Sequence, residues 1–421
     1  MSGPRVVLAY SGGLDTSYCV LALREAGFRV HAAFVDTGGV EPERIEEIRE
    51  RALALGAEAF HQLDGGEALW RDFVVPLARA GGKVLDAYPM LCSDRYVIAE
   101  MCLELCRKLG TDHFAHGCTG MGNDQVRFDQ SVRSLGDFKI YAPIRDLQRT
   151  TREVRAYELK ALTDAGCPFP EETARYSINE NLLGVTLSGG EVDRFQAPGP
   201  ETRAWCRPRE EWPADPLKVT IGFRSGQAVS LDGRELPGPE LLTRLNRSFA
   251  TYGVGRHVYT GDVTVGLKGR IVFECPGIEA LMTAQRALED GVNTRHQNGF
   301  RHIVAGRWAD LVYSGFFFEP HKSDLDAYLA SAHRWVTGEV DLWSPGGRLD
   351  AVAVRSPYVL TDPESVYAQS ASWTPEEAEG FVKLLGWSST TATRIRGRPT
   401  RSGPMVSASP EGPVPAGDEN P

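Results

Sequence analysis

The chain has 421 residues, more than the roughly 250–300 residues at which a single core stops growing, so we expect two domains. Hydrophobic residues make up 42%, charged residues 24%, and the formal net charge is -10, which is typical of a soluble globular protein and unfavourable for general nucleic-acid binding. No apolar run reaches 18 residues and strand-like sequence begins within a few residues of Met1, so we predict a cytoplasmic protein without a membrane partner.

The first 117 residues alternate short apolar runs with amphipathic stretches. The predicted strands are RVVLAY, RVHAAFVDTGG, AEAFHQLD and DHFAHG, and the predicted helices are SYCVLALREAG, EPERIEEIRERALALGA and SDRYVIAEMCLELCRKLG. Apolar strands separated by helices are typical of a parallel sheet that is covered on both faces. We therefore predict a doubly wound α/β domain whose ligands bind beyond the carboxyl ends of the strands.

The loop AYSGGLDTS, residues 9–17, follows the first predicted strand. Gly12 and Gly13 permit a tight turn that brings backbone N–H groups close to a ligand. A helix that begins after such a turn has free N–H groups and attracts anions. We therefore predict a phosphate site. The loop lacks the GxxxxGK[ST] and GxGxxG patterns, which makes a P-loop or a dinucleotide site a weak interpretation.

The same loop, SGGLDTS, resembles the pyrophosphate-binding loop of the N-type ATP pyrophosphatases. By that resemblance the loop holds the β- and γ-phosphates of ATP and leaves the α-phosphorus open to attack. From the residues themselves, we expect one of Asp15, Thr16 and Ser17 to cap the following helix.

Three later stretches narrow the family. They are YPMLCSDR at residues 88–95, HGCTGMGNDQVRFD at residues 116–129 and YSINENLLGVTLSGG at residues 176–190. Together with the first loop they resemble the argininosuccinate synthase family, from about residue 5 to about residue 387. The string GxGNDQVRF is long and specific, and four such segments in this order are not expected by chance.

The second of these stretches also makes chemical sense without the family. Its glycines follow the predicted strand DHFAHG and let the backbone lie against a nucleotide near the first loop. Thr119, Asn123 and Asp124 offer the hydroxyl, amide and carboxylate that hold an amino acid by its carboxylate and its ammonium group. Arg127 adds a fork of donors that suits a carboxylate or a phosphoryl oxygen.

The resemblance implies an adenine nucleotide alpha hydrolase-like fold and a two-step ligation. In that family the ureido oxygen of citrulline attacks the α-phosphate of ATP to give a citrullyl-adenylate, and the amine of L-aspartate then displaces AMP. The implied cofactors are ATP as substrate and Mg²⁺, without a dedicated protein metal site. The implied partners are citrulline, aspartate and further copies of the chain in a homotetramer, with no nucleic acid.

The resemblance also assigns residues one by one. ATP is expected at Ala9, Tyr10, Ser11, Gly12, Gly13, Leu14, Asp15, Thr16, Ser17, Val35 and Gly117. Aspartate is expected at Thr119, Asn123 and Asp124. Citrulline is expected at Tyr88, Ser93, Asn123, Arg127, Ser177 and Thr186. Asp124 and Arg127 are the predicted catalytic residues.

Some residues depart from the family pattern. Met121 stands where many members have lysine, and Cys92 stands for a threonine. Gly261 and Phe273 stand where the family supplies a glutamate and a tyrosine to citrulline, and the neighbouring Asp262 is a candidate substitute. Three interpretations stay open. The chain uses free citrulline held by other groups, it uses an N-acylated citrulline or another ureido compound, or it is a non-catalytic nucleotide-binding paralogue.

The remaining sequence predicts a second domain. We place the nucleotide-binding domain at residues 1–168, an α+β synthetase and multimerisation domain at 169–387, and a disordered tail at 388–421. KVTIGFRSGQAVSLDG predicts a hairpin with an Asp-Gly turn, and helices are expected in PGPELLTRLNRSFATYG, IEALMTAQRALEDGVNTRHQNGF and SDLDAYLASAHRWVTG. TPEEAEGFVKLLGW is expected to be the last ordered helix, capped by Thr374.

The eight cysteines are scattered, which predicts reduced thiols and no disulfide framework. A tRNA-thiolating enzyme would need paired reactive cysteines and a basic face, and neither is evident. An amidotransferase would need an activated cysteine, often at the N-terminus, where this chain has Met1 and Ser2.

Overall fold

The structure, a computed structural model, describes residues 3–170, 175–367 and 369–397. The chain divides into two compact units, residues 1–360 and residues 361–421. The predicted domain boundary at residue 168 lies inside the first unit and stays a prediction.

Fourteen strands and fifteen α-helices lie in the described residues. The strands are β1 Arg5–Ala9, β2 Arg29–Asp36, β3 Ala59–Asp64, β4 His113–His116, β5 Lys139–Tyr141, β6 Tyr176–Asn181, β7 Gly184–Gly189, β8 Leu217–Arg224, β9 Gln227–Leu231, β10 Arg234–Glu235, β11 Arg256–Asp262, β12 Lys268–Glu274, β13 Gly338–Ser344 and β14 Asp350–Arg355. The helices are α1 Leu14–Glu25, α2 Pro42–Ala54, α3 Gly66–Leu69, α4 Val75–Ala80, α5 Asp94–Leu109, α6 Asp124–Leu135, α7 Pro143–Leu147, α8 Val154–Asp164, α9 Gly190–Asp193, α10 Gly238–Ala250, α11 Pro276–Val292, α12 Arg295–Tyr313, α13 Pro320–Ala332, α14 Pro375–Leu385 and α15 Trp387–Arg396.

The first five strands form a parallel sheet in the order β3-β2-β1-β4-β5. Side chains of β1 alternate between two hydrophobic clusters, Val6 and Leu8 in one and Val7 and Ala9 in the other, because successive side chains of a strand point to opposite faces. Both faces are therefore covered, which confirms the predicted doubly wound α/β domain. The strand order reverses between β1 and β4, so the loops after these two strands border the crevice where such folds bind ligands.

Two antiparallel sheets follow, in the orders β10-β9-β8-β13-β14 and β11-β12-β7-β6. With the helices α10 to α13 they confirm the predicted α+β character of the second half. The turn between β6 and β7 reaches the carboxyl edge of the parallel sheet, where Leu182 N–H donates to the Thr37 carbonyl at 2.9 Å. The Asn181 amide donates to the Leu91 carbonyl at 2.8 Å. The four-stranded sheet is thereby fixed beside the crevice.

Some predicted elements need correction. The expected single helix over residues 278–300 is two helices, because Thr294 forms a capping box with Gln297 and starts α12 anew. The Asp232-Gly233 turn joins β9 to β10, and the β8–β9 turn lies at Ser225 and Gly226.

The C-terminal predictions also change. Thr374 caps α14 as expected, but α14 is not the last helix, because α15 follows it within the predicted disordered tail. The part of the predicted tail from residue 398 onward lies outside the described residues. All eight cysteines lie among the described residues and are free. No helix in the described part of the chain is long and apolar enough to cross a membrane.

A buried carboxylate ties the linker before β8 to the four-stranded sheet. Glu274 is fully buried and accepts hydrogen bonds from three successive backbone N–H groups, those of Ala204, Trp205 and Cys206, at 2.5–3.2 Å. Its other oxygen accepts from Arg256 at 2.6 Å. The charge of Glu274 is therefore fully paired, although the residue is out of contact with water.

We predict that Glu274→Gln lowers the free energy of unfolding by about 3–5 kcal/mol, because it leaves the Arg256 charge without its partner in a buried place. The matched control is Glu339→Gln, which removes a carboxylate from a half-exposed pair with Arg355 and should cost at most about 1 kcal/mol. Urea unfolding of both variants provides the measurement. Equal losses in the two variants would contradict this account of Glu274.

Candidate functional site

The loop between β1 and α1 is held in one conformation by its neighbours. Gly12 has φ of +75°, and a Cβ there would lie 2.6 Å from Ile48 Cγ1, so only glycine fits. The Arg51 guanidinium donates to the Gly12 carbonyl at 2.8 Å and lies over the Phe169 ring at 4.4 Å. Helix α2 therefore sets the path of the loop.

The capping prediction for α1 is wrong. Gly13 is the N-cap and no side chain caps the helix, while the three expected capping residues lie inside it. The Thr16 hydroxyl accepts from Ser11 N–H at 3.3 Å and lies 3.1 Å from the Ser11 hydroxyl. Ser17 is buried, and its hydroxyl lies 3.3 Å from that of Tyr10. Hydroxyl contacts thus shape the loop, including a long one of 3.4 Å from Gly13 N–H to the Ser11 hydroxyl, and among the described residues no side chain forms a capping hydrogen bond to α1.

The other residues expected at ATP lie around this loop. The side chains of Ala9 and Val35 pack in the hydrophobic core at the ends of β1 and β2, so only their backbones border the crevice. Leu14 packs against the other hydrophobic cluster. A Cβ on Gly117 would lie 2.9 Å from Thr16 Cγ2, so the loop after β4 touches the loop after β1. The structure thus brings the predicted ATP residues together.

The carboxyl group of Glu158 lies behind the loop of residues 9–17, close to the carboxyl group of Asp15. Glu158 on α8 is fully buried, and neither of its oxygens has a hydrogen-bond partner among the described residues. Burial, with a further contribution from the Asp15 carboxylate, raises the pKa of Glu158 to about 8. Burial also raises the pKa of Asp15, against an opposing effect of Arg155. The loop therefore rests on a carboxyl group that is protonated at neutral pH.

The loop after β4 is held from below by a histidine. His116 Nδ1 accepts from Cys118 N–H at 3.1 Å, so the ring proton is on Nε2, which donates to Asp129 at 2.9 Å. Burial lowers the pKa of His116, which keeps the ring neutral. Gly120 N–H donates to the Gln148 side chain at 2.7 Å, so α7 supports the loop from the other side.

Asp124, at the start of α6, lies between two arginines. One oxygen accepts from Arg127 Nη1 at 2.8 Å and the other from Arg95 Nε at 3.1 Å. Burial would raise the pKa of Asp124, but the two guanidinium groups outweigh it and lower the pKa. Arg95 also donates to the Asn179 side chain at 2.7 Å, which links α6 and α5 to β6. Asp124 is therefore an ionised carboxylate held by hydrogen bonds from two arginines.

Asn123 and Thr119 lie on the same loop. The Asn123 amide donates to the Tyr313 hydroxyl at 2.9 Å and its oxygen accepts from Thr264 N–H at 2.6 Å. Both ends of this amide are thus occupied by other parts of the chain, and a ligand would have to exchange with them. Among the described residues the Thr119 hydroxyl accepts only a long contact of 3.4 Å, from Met121 N–H, which leaves it available to a ligand.

The residues expected at citrulline meet from both halves of the first unit. In the four-stranded sheet Thr186 lies opposite both Asn179 and Phe273, and Ser177 shares the face of Asn179. Tyr88 lies against this face, with its ring 5.3 Å from that of Phe273. Tyr88 and Thr186 therefore both meet Phe273 at one face of this sheet, and we call these residues, with Ser177, the citrulline cluster.

The structure also places three other positions that the sequence analysis names for citrulline, Ser93, Gly261 and Asp262. Ser93 is buried and donates to the Met90 carbonyl at 2.8 Å. The Asp262 carboxylate is exposed and pairs with Lys268 at 2.7 Å, so its place as a substitute for the missing glutamate stays a prediction. Gly261 is buried. Sequence reasoning assigned no role to Arg95, although it lies in the quoted string YPMLCSDR, and it missed Tyr313, for which no local signal exists.

We predict that Glu158→Gln raises the melting temperature at pH 8 by at least about 2 °C. The pKa of Glu158 is raised to about 8 in the folded chain, so the folded state holds a proton that the unfolded state releases near pH 4.5. Stability is therefore lost as the pH rises from 4.5 to 8, and glutamine removes this loss. The gain should shrink as the pH falls, as measured by thermal unfolding.

The control is Glu104→Gln, which changes an exposed carboxylate of α5. It should leave the melting temperature unchanged at every pH. A gain for Glu158→Gln that does not depend on pH would show that charge on Glu158 is not the cause.

Comparison with known proteins identifies the family. Residues 5–161 match a family model described as "Arginosuccinate synthase N-terminal HUP domain", and residues 176–392 match one described as "Arginosuccinate synthase C-terminal domain". A protein of Xanthomonas campestris pv. campestris named "Argininosuccinate synthase" is 54% identical over 395 residues, which cover 94% of this chain and 100% of that protein.

Proteins of two further organisms, also named "Argininosuccinate synthase", are similar to this chain. The protein from Xylella fastidiosa is 53% identical, covering 94% of this chain and 98% of that protein. The protein from Methanocaldococcus jannaschii is 37% identical, covering 90% of this chain and 95% of that protein. Since both family models and these relatives together span nearly the whole chain, this protein belongs to the argininosuccinate synthase family.

Proposed function

We propose that this protein is an argininosuccinate synthase, which ligates citrulline to L-aspartate with conversion of ATP to AMP and pyrophosphate, in arginine biosynthesis. The observation that carries this is the meeting of the two loops at the switch point, Gly117 against Thr16, beside the paired Asp124 carboxylate. An ATP site and an amino-acid site are thereby adjacent, as an adenylation followed by amine attack requires.

In this proposal the loop of residues 9–17 and Gly117 bind ATP. The uncapped N-terminus of α1 offers backbone N–H groups to the phosphates of the leaving pyrophosphate. The side chains of Ala9 and Val35 have no part in this, because they lie in the core. The ureido oxygen of citrulline attacks the α-phosphorus and pyrophosphate leaves. The amine of aspartate then attacks the activated carbon, and AMP departs with the ureido oxygen.

Thr119, Asn123 and Asp124 are proposed for aspartate, and Tyr88, Ser93, Asn123, Arg127, Ser177 and Thr186 for citrulline. Asp124 then acts as a fixed negative charge that attracts an ammonium group. It is a poor proton acceptor, because the two arginines lower its pKa. Arg127 is buried with its Nε unpartnered among the described residues, and this donor suits a carboxylate or phosphoryl oxygen. The proton of the aspartate amine therefore passes to phosphate or water.

Mg²⁺ is proposed to enter with ATP. In the described part of the chain no group of three or more His, Cys, Asp or Glu side chains could hold a metal ion. Mg²⁺ commonly binds through phosphates, waters and only one or two carboxylates, so such a cage is not needed. Its chemistry would be to neutralise the charge that develops on pyrophosphate.

We also propose a homotetramer in the cytoplasm, with a functional division of the chain at residue 168. The proposal of an oligomer is supported by the unit that begins at residue 361, because its helix α14 exposes apolar side chains. Phe381, Leu384 and Leu385 are 61–73% exposed. Exposed apolar residues spaced along one helix are typical of a surface that another chain covers.

The alternatives from the sequence rest on Gly261 and Phe273 alone. The relatives are named argininosuccinate synthases, and that name gives no support to an N-acylated citrulline, to another ureido compound or to a non-catalytic paralogue. Free citrulline is therefore the proposed substrate.

The test is turnover with citrulline labelled with ¹⁸O in the ureido group, together with Mg-ATP and aspartate. We expect argininosuccinate, pyrophosphate and AMP in equal amounts, with the label in AMP, because the ureido oxygen stays on phosphorus when AMP leaves. Mass spectrometry measures all three. The control reaction contains N-acetylcitrulline instead of citrulline.

Unlabelled AMP would contradict attack by the ureido oxygen. Turnover with N-acetylcitrulline alone would move the substrate to the acylated compound. The absence of AMP with both compounds would overturn the proposed ligase.

A further inference from the structure

Tyr259 on β11 is a buried tyrosine in the proposed citrulline cluster. It is 7% exposed, and no atom of the described residues forms a hydrogen bond with its hydroxyl. Its ring stacks on that of Tyr88, with centroids 5.3 Å apart and planes inclined by 26°. Tyr88 in turn contacts Phe273. The ring of Tyr259 thus lies beside a residue proposed for the substrate, its hydroxyl lies over Gly261, and this hydroxyl has no partner among the described residues.

Gly261 makes this position of Tyr259 sterically possible. The two residues are two apart on one strand and therefore face the same side of the sheet. A Cβ on Gly261 would fall well inside van der Waals contact with the phenol oxygen and ring of Tyr259. Gly261 does not have a positive φ, so its backbone does not itself require glycine. The need for glycine comes from the tyrosine.

The polar groups nearest to Tyr259 are already engaged. The Tyr313 hydroxyl donates to the Asp262 carbonyl at 2.9 Å and accepts from Asn123. The Asp262 carboxylate is exposed and pairs with Lys268. A buried hydroxyl without a partner disfavours folding, and native proteins retain few of them without a reason. The arrangement is explained if a ligand supplies the partner.

We propose that the Tyr259 hydroxyl is a specificity-determining contact that donates a hydrogen bond to the α-carboxylate of the ureido substrate. This contact rests on the proposed function, and it adds Tyr259 to the residues already proposed for citrulline. Burial raises the pKa of Tyr259 to about 12, so the phenol keeps its proton at neutral pH and is a donor. The strongest acceptor on citrulline for a neutral donor is its carboxylate.

The experiment measures binding of citrulline to the full chain, loaded with Mg²⁺ and a non-cleavable ATP analogue, by titration calorimetry. We expect Tyr259→Phe to weaken citrulline binding by about 10- to 100-fold, as loss of a hydrogen bond to a charged group does. The melting temperature without ligand should stay equal or rise, because the variant removes an unpaired buried hydroxyl. A purely structural role would lower it.

Two controls make the test specific. Tyr328→Phe removes a phenol on α13 that lies against Phe300, outside the cluster, and should leave binding unchanged. Citrulline α-carboxamide lacks the charged carboxylate and should bind the wild type and Tyr259→Phe with similar, weak affinity. If Tyr259→Phe weakens the binding of citrulline and of citrulline α-carboxamide by the same factor, the carboxylate is not the group that Tyr259 contacts.

A double-mutant cycle tests the steric pairing. Introduced alone, Gly261→Ala should lower the melting temperature and weaken citrulline binding. Introduced into the Tyr259→Ala variant, where the space is already empty, it should change neither quantity much. Additive effects would overturn the pairing. If Tyr259→Phe binds citrulline within about twofold of the wild type, the substrate contact is wrong while the ligase remains. If the wild type itself neither binds citrulline nor forms AMP, the proposed function fails.

Discussion

The site depends on one charge cluster, the partly exposed Asp124 carboxylate between the largely buried side chains of Arg127 and Arg95. Through Arg95 the cluster reaches Asn179 of the four-stranded sheet, and through Arg127 Nη2 it reaches the Tyr313 carbonyl at the end of α12, at 3.1 Å. Helices that flank the parallel sheet are thereby fixed against later elements, the longest contact joining residues 186 positions apart in the sequence. Ion pairs that are largely removed from water contribute little net stability. The role of this cluster is therefore to position the side chains of Asp124, Arg127 and Arg95 in the site.

The same cluster limits the chemistry that the protein can perform. A carboxylate with a lowered pKa between two arginines attracts an ammonium group but accepts a proton poorly. In the proposed mechanism, rate enhancement comes from holding the ureido oxygen in line with the α-phosphorus and from charge stabilisation at the loop of α1. Burial lowers the pKa of His116 below one loop and raises the pKa of Glu158 behind the other to about 8, so both supports are largely uncharged at pH 7.

The parallel sheet and its ligand edge could be predicted from sequence because apolar strands and amphipathic helices are local signals. The contacts within the site could not, since Tyr88 meets Phe273 and Tyr259 only through the tertiary fold. The cap of α1 was mispredicted because the Thr16 hydroxyl bonds to Ser11 instead of the helix end. Helix α15 was missed because its stretch has many Ser and Thr residues and few large apolar ones. The sequence around Tyr259 carries no signal for a ligand contact. Its place becomes clear only from the fold, where its hydroxyl fills the space that a side chain on Gly261 would occupy.

The central claim is that citrulline is adenylated before aspartate reacts, and positional isotope exchange tests it most directly. ATP carrying ¹⁸O in the bridge between the α- and β-phosphorus would be incubated with Mg²⁺ and citrulline, without aspartate. The account predicts that the label scrambles into the non-bridging β-positions, because reversible formation of the adenylate frees pyrophosphate to rotate. Scrambling that needs aspartate, or scrambling without citrulline, would contradict the account.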